Sequence, residues 1–288
     1  VRSARLELQK TEIKMLDIEP LLPVRLIVEA TLQVLMDPVG ELEVACTSKG
    51  RRVPRLVPAP AAADALQRCY SMCDDQYRLA SGAAIVTGGT GALGLIAARE
   101  LAELGASSLI LASRSGHVSA GSGLEPLVQV LDRFSKTSVQ FQRCDVASRS
   151  QVSALVAEVA KSETPLRGII HAAGVLDRCP LSELDGMRLA KTVGPKAAGA
   201  WYLHTNTENM ALNHFVLFSS VSATLGLVNG AAYSSANAYL DALAMWRWPR
   251  GGGLSVKFGP VSEVGMSAGA DTGNHLQSMP LKFLSPSQ

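Results

Sequence analysis

The chain has 288 residues, 47% hydrophobic, 5% aromatic and 18% charged, with a formal net charge of +2. This is enough apolar material for one large α/β domain and a smaller appendage, and the dominance of Ala, Val and Leu over aromatics suits helices on a parallel sheet better than a β-sandwich. The near-neutral charge speaks against a nucleic-acid surface or a polybasic membrane patch, and no apolar run approaches a membrane span.

The N-terminal VRSARLELQK has neither the apolar core of a signal peptide nor an initiator Met, so the chain reads as a piece of a longer protein. Its cysteines, Cys46, Cys69, Cys73, Cys144 and Cys179, are odd in number, scattered and without a CxxC pair. They argue against a disulfide framework or a metal site, and Cys69 and Cys73 read as ordinary half-buried thiols. A reducing, intracellular, cytoplasmic setting is the default.

Residues 1 to about 60 read as a partial unit. IEPLLPVRLIVEATLQVLM has helical spacing, with Leu26, Val28, Leu32, Val34 and Leu35 apolar. ELEVACTSKGRRVPRLVPAP reads as two short strands across a Lys49-Gly50 turn, ended by prolines. That is too little to bury a core alone. Residues 61–81 are expected to be linker with some helix.

At Gly82 the texture changes. AAIVTGG is a short β-rich run, followed by the helix ALGLIAARELAELG with Leu93, Ile96, Ala97, Leu101 and Leu104 on one face. Next come the strand SSLILASRSG, a Gly/Ser-rich loop, a helix near Leu124–Phe134, the strand TSVQFQRCDV, the helix SQVSALVAEVAKS and the strand LRGIIHAAGV. A helical stretch covers about Gly186–Asn206, before the strand FVLFSS, a loop of small residues and a helix from about Ala231. GLSVKFGP is the last strand. Strand–helix alternation of this kind predicts a Rossmann-type doubly wound parallel sheet with right-handed crossovers.

Between the first of these strands and its helix lies Thr87-Gly88-Gly89-Thr90-Gly91-Ala92-Leu93-Gly94, with GxGxxG as Gly89, Gly91 and Gly94. The glycines allow a tight turn and the close approach of a pyrophosphate to the helix N-terminus, so the stretch predicts dinucleotide binding. The end of the second strand carries Ser113-Arg114 and no acid. An arginine there pairs with a 2′-phosphate, which favours NADPH over NADH. Cys144-Asp145-Val146 is placed to bracket the adenine through Asp145, which as a lone Asp serves equally as a helix cap. In His171-Ala172-Ala173-Gly174 the small residues let a nicotinamide ribose approach the backbone, and His171 reads as a structural histidine rather than a base.

Ser220 closes the FVLFSS strand, Tyr233 opens the next helix, and Asn237 follows one turn later on the same face. A hydroxyl facing a phenol can hold and protonate a carbonyl oxygen. A free tyrosine, with a pKa near ~10, works best as an acid when tuned toward operating pH. A cation at about 4 Å would contribute roughly 4 kcal/mol, or about three pKa units, in an effective dielectric near 20. Many tyrosine-based reductases place a lysine one turn after the tyrosine, where this chain has Asn237. Lys196 is the candidate from elsewhere, although by spacing alone it reads as a surface lysine.

These motifs resemble the ketoreductase domain of modular or iterative polyketide synthases, in the short-chain dehydrogenase/reductase superfamily, a pattern that the animal fatty-acid-synthase ketoreductase shares. The resemblance is carried by TGGTGALG at 87–94, SRSG at 113–116, CDV at 144–146, HAAGVLD at 171–177 and PKAAGAWYLH at 195–204. FSSVSA at 218–223, YSSANAYLDALA at 233–244 and FGPVSEVGM at 258–266 complete it, over about Gly82 to Ser267. In that family the lysine and asparagine have exchanged places, which implies Lys196 and Asn237 as catalytic beside Tyr233 and Ser220. Tyr233 would donate the proton, Ser220 hold the carbonyl oxygen, Lys196 lower the pKa of the tyrosine, and Asn237 order the relay.

The resemblance implies a partial structural subdomain and linker at 1–81, an NADPH-binding catalytic domain at 82–268 and a lid remnant or linker tail at 269–288. It implies reduction of a β-ketoacyl thioester held on the phosphopantetheine arm of an acyl carrier protein, beside neighbouring synthase domains. A catalytically inactive structural or epimerising domain, a fatty-acid-synthase-type ketoreductase and a free-standing short-chain reductase are the alternatives. Four positions bear on substrate and stereocontrol. Leu176-Asp177-Arg178 has Arg where one family type has a second Asp, and Leu225 stands where the other type has tryptophan. Neither marker is complete, so alcohol configuration stays open. Met266 precedes the expected start of a lid over the acyl chain. Phe258 stands where the family usually has tryptophan.

Overall fold

The structure, a computed structural model, describes residues 1–8, 10, 13–20, 22–36, 41–54, 82–248 and 252–259. The chain divides into two compact units, Val1–Cys73 and Asp74–Gln288, ahead of the boundary expected at 81/82. The linker expected at 61–81, Cys69, Cys73, Met266 and the tail at 269–288 lie outside the described residues.

In the first unit, strands β1 (Met15–Ile18), β2 (Glu43–Thr47) and β3 (Gly50–Arg52) form a sheet, β1 parallel and β3 antiparallel to β2. The β2–β3 turn falls at Ser48-Lys49, one residue before the expected Lys49-Gly50, and Gly50 opens β3 at φ +110°. Helix α1 (Arg2–Glu7) brings Arg2 and Arg5 onto the Glu43 carboxylate. Helix α2 (Val24–Met36) buries only part of the apolar set its spacing singled out. Ala30 and Val34 are buried, whereas Leu26, Val28 and Leu32 are exposed. The helix is apolar on most sides, so periodicity could not choose a face, and a three-stranded sheet covers only one stripe.

The second unit holds six parallel strands in the order β6-β5-β4-β7-β8-β9. These are β4 (Ala83–Thr87), β5 (Ser108–Ser113), β6 (Ser138–Arg143), β7 (Leu166–His171), β8 (His214–Ser220) and β9 (Leu254–Phe258). That is the doubly wound order, whose ligand crevice lies at the carboxyl ends of the strands where the order reverses, between β4 and β7. Strand β4 is buried at every position, as a central strand covered on both faces must be. Alternate residues feed two cores. Ala83 and Ile85 pack with α5 (Arg149–Ala160), α7 (Gly199–Thr207) and α9 (Ala231–Arg247), through Val152, Leu203 and Leu240. Ala84 and Val86 pack with α3 (Ala92–Glu103) and α4 (Glu125–Leu131), through Leu95, Ala98 and Leu131. Each large side chain buried this fully contributes about 1.5–3 kcal/mol.

The buried face of α3 is rotated from the expected one: Gly94, Leu95, Ala98, Leu101 and Ala102 face inward, and Leu104 is 42% exposed. A Cβ at Gly94 would collide with the Gly88 carbonyl, so this close helix–turn contact sets the rotation. The helical stretch expected at Gly186–Asn206 is interrupted. Helix α6 (Gly186–Val193), N-capped by Asp185, runs into a π-turn at Gly194–Ala198 before α7. A short helix, α8 (Ser222–Leu225), stands in the loop between β8 and α9.

Candidate active site

A cleft of about 650 Å³ opens at the carboxyl ends of β4, β5, β6 and β7. Gly88, Thr90, Gly91, Leu93, Gly94, Ser113, Arg114, Asp145, Val146, Ala172, Ala173 and Gly174 all line it, which brings the expected cofactor residues together with one exception. Gly89 packs away from the cleft: a Cβ there would stand 2.7 Å from Leu111 Cα on β5. Its role is to seat the turn on the sheet. Gly88 takes φ +68°, and a Cβ on it would meet the Ala173 backbone nitrogen at 2.8 Å, so the turn and the β7 end are in backbone contact. Gly91 caps α3 without a side-chain bond, leaving N–H groups of the first turn for an anion. Such a cradle fits a pyrophosphate.

At the rim, the Ser113 hydroxyl accepts from the Gly116 N–H at 3.0 Å and folds the loop that presents exposed Arg114. Ser115, part of the SRSG stretch but given no role from the sequence, also lines the cleft. Asp145 is not the cap of the helix that follows. Its carboxylate accepts from the Ala147 N–H at 3.0 Å, bracing the turn, and it still faces the cleft, while Ser148 caps α5.

Lys196 is not a surface residue. It sits in the π-turn, 3% exposed, and its Nζ donates to the Phe218 carbonyl on β8 at 2.8 Å. The same Nζ stands over the Tyr233 ring, 5.4 Å from its centre. Tyr233 lies in the first turn of α9, and the Asn237 and Ser220 side chains are close enough to its phenol to favour the ionised form. Asn237 is fully buried, donates from Nδ2 to the Tyr233 carbonyl at 2.8 Å, and keeps Oδ1 unpaired among the described residues. Buried Ser219, which the sequence reading passed over in favour of Ser220, donates to the Asn237 carbonyl at 3.1 Å. The strand alternation turns the two serines to opposite faces.

The electrostatics differ from expectation. Burial holds the Tyr233 phenol above its ordinary value, against the pull of Asn237 and Ser220. Burial pushes Lys196 down to about 8, with Asp241 opposing. The depression of the phenol by a neighbouring cation is not seen. Where water cannot solvate either charge, both groups move toward neutrality.

Of the stereocontrol candidates, Asp177 takes Lys191 at 2.7 Å and Arg188 at 3.1 Å, both from α6, and the Lys191 bond leads in holding its carboxyl below the usual range. The Nε of Arg178 is buried without a hydrogen-bond partner among the described residues. Leu225 is 36% exposed at the end of α8. The Cys179 N–H bonds the Asn229 carbonyl at 2.9 Å, so the segment with Asp177 and Arg178 is stitched to the loop that precedes Tyr233. Phe258 packs on Phe218, ring centres 4.8 Å apart, behind the carbonyl that holds Lys196. Among the described residues no helix is long and apolar enough to cross a membrane, and no group of three or more His, Cys, Asp or Glu is placed to hold a metal ion.

Residues 82–263 match the family described as KR domain. The chain is 41% identical over 234 residues to the polyketide synthase GfsA of Streptomyces halstedii, covering 81% of this chain and 3% of that protein. It is 39% identical over 213 residues to the phenolphthiocerol synthesis polyketide synthase Pks15/1 of Mycobacterium bovis, covering 73% of this chain and 10% of that protein. Among solved structures, A-type ketoreductases from a modular polyketide synthase superpose with a TM-score of 0.82 at 32% identity, covering 99% of this chain and 58% of that one. The chain thus spans a small part of these curated relatives and just over half of that structure.

Proposed function

The chain belongs to the KR domain family, the ketoreductases of polyketide synthases within the short-chain dehydrogenase/reductase superfamily, and on that basis we propose that it reduces a β-ketoacyl thioester to the β-hydroxyacyl thioester with NADPH. The observation that carries the reading is the convergence of Lys196, Ser220 and Asn237 on Tyr233 beside the glycine-lined cleft.

NADPH bound in the cleft would supply the hydride. The turn at Gly88–Gly91 and the N–H groups opening α3 would hold its pyrophosphate, Arg114 its 2′-phosphate, Asp145 and Val146 its adenine, and Ala172–Gly174 its nicotinamide ribose. Ser220 Oγ holds the substrate carbonyl oxygen, and Tyr233 gives its phenolic proton to that oxygen as the alcohol forms. A raised phenol pKa keeps that proton in place until the oxygen becomes basic. Lys196, at about 8, gains and loses a proton near neutral pH and so resupplies the phenol. Asn237 fixes the Tyr233 backbone and offers Oδ1 to the relay. Asp177, Arg178, Leu225 and Met266 are assigned to presenting the ketone. The reading takes the substrate as tethered to the phosphopantetheine arm of an acyl carrier protein, among neighbouring synthase domains in the cytoplasm.

The test is to mix the protein with NADPH and a diketide β-ketoacyl thioester and follow the cofactor's fluorescence. Binding followed by decay supports the reading. Binding without decay marks a non-reducing domain of the same family and overturns it.

A further inference from the structure

His171 ends β7, is fully buried and lies outside the acid–base steps above. Its Nδ1 is 2.7 Å from the Thr87 hydroxyl, and its Nε2 is 3.0 Å from the Lys196 carbonyl. A carbonyl only accepts, so Nε2 carries the hydrogen and, in the neutral ring, Nδ1 accepts from Thr87. Burial holds His171 down to about 4, which keeps the ring neutral at physiological pH. Thr87 is itself fully buried and immediately precedes Gly88 of the cofactor turn. At the other end, the π-turn displaces Lys196 from the regular α-helical ladder, and the imidazole gives its carbonyl a partner from outside the helix. Gly199 makes room for the ring: a Cβ there would stand 3.2 Å from His171 Cε1.

We propose that His171 is a positioning residue for Lys196, the middle link of a Thr87–His171–Lys196 hydrogen-bond chain that ties the strand bearing the glycine turn to the π-turn. The chain fixes the lysine backbone from one side while the Phe218 carbonyl fixes Nζ from the other. The lysine is thereby held over the Tyr233 ring with few rotamers left to it. Among the described residues the titratable groups that face Lys196 are Asp241, His171 and Tyr233.

The test compares His171→Gln, whose amide nitrogen reaches the position of Nε2, with His171→Asn, whose amide is too short to reach the Lys196 carbonyl. Two readouts are taken. The kinetic one, the pH profile of kcat for thioester reduction, rests on the ketoreductase reading. The other does not: the pH dependence of Lys196 acetylation by acetic anhydride, followed by peptide mass spectrometry on the full chain. The structure predicts that His171→Gln keeps the wild-type labelling profile, with kcat within about threefold. His171→Asn should lose at least about tenfold in kcat with NADPH affinity within about threefold. Its Lys196 labelling pKa should rise toward the ordinary lysine value near ~10.4. A folded His171→Asn protein with the wild-type labelling profile overturns the proposal, as does a parallel loss of turnover and NADPH affinity, which marks a merely structural histidine. Should His171→Asn fail to fold, Thr87→Val removes the anchoring bond alone, and an unchanged labelling profile there overturns the proposal equally. A wild-type protein that labels as expected but reduces nothing refutes the ketoreductase reading and leaves the positioning role standing.

Discussion

Gly174 and Lys196 share one space: a methyl group at position 174 would stand 2.7 Å from Lys196 Cε and 3.4 Å from its Nζ. The lysine cannot swing aside freely, because its Nζ is held on Phe218 and its backbone on His171. Gly174→Ala is therefore expected to lower kcat by about 10- to 100-fold, since displacing the proposed relay lysine is costly in rate. Overpacking of this size costs about 1–3 kcal/mol in stability, which thermal melting will read. Unchanged kcat in a folded variant would show that the lysine's position does not govern turnover.

Tyr233→Phe removes the proposed proton donor and leaves the ring, the α9 backbone and the cleft in place. General acid catalysis supplies about 10²–10⁴ in rate, and turnover should fall by that order. NADPH affinity, measured by fluorescence titration, should stay within about twofold. Reduction at near-wild-type rate would sink the assignment of Tyr233 as the acid.

Arg114 stands exposed on a loop folded by Ser113, at the rim of the cleft. A charge-assisted hydrogen bond contributes about 1.5–3 kcal/mol, so Arg114→Ala should weaken NADPH by roughly 10- to 100-fold. NADH lacks the 2′-phosphate and should change by no more than about twofold. Equal losses for the two cofactors, measured by titration, would refute the phosphate role.

Sequence and site agree where a residue type dictates local backbone. The glycine turn and the one-turn spacing of Tyr233 and Asn237 were readable because their physics is local. The buried strands were readable for the same reason, as β-rich apolar runs between turns. What was not readable depends on packing across the sheet. The inward faces of α2 and α3 were ambiguous because both helices are apolar on several sides. The π-turn at Gly194–Ala198 has no periodicity of its own, so Lys196 read as a surface lysine although it is buried. The raised Tyr233 phenol and lowered Lys196 ammonium come from burial, which residue spacing does not show.

The last prediction concerns acid stability. Burial depresses His171 from 6.5 to about 4 in the folded protein, so between those values the unfolded chain binds a proton that the folded chain does not. Stability attributable to a neutral His171 is fully present above about 6.5 and is lost as pH falls toward about 4. A single such proton gives a slope of at most about 1.4 kcal/mol per pH unit. Carboxylates held in ion pairs, among them Glu43 and Asp177, are also depressed and add a slope of the same sign at lower pH. His171→Gln separates the two, because it removes only the imidazole. Urea unfolding of wild type and His171→Gln across pH 4 to 7 should show a shallower loss of stability in the variant within the 4–6.5 window, and converging slopes above it. Identical slopes for both proteins would mean that His171 takes up its proton in the folded state, against the neutral tautomer that the Thr87 and Lys196 bonds require.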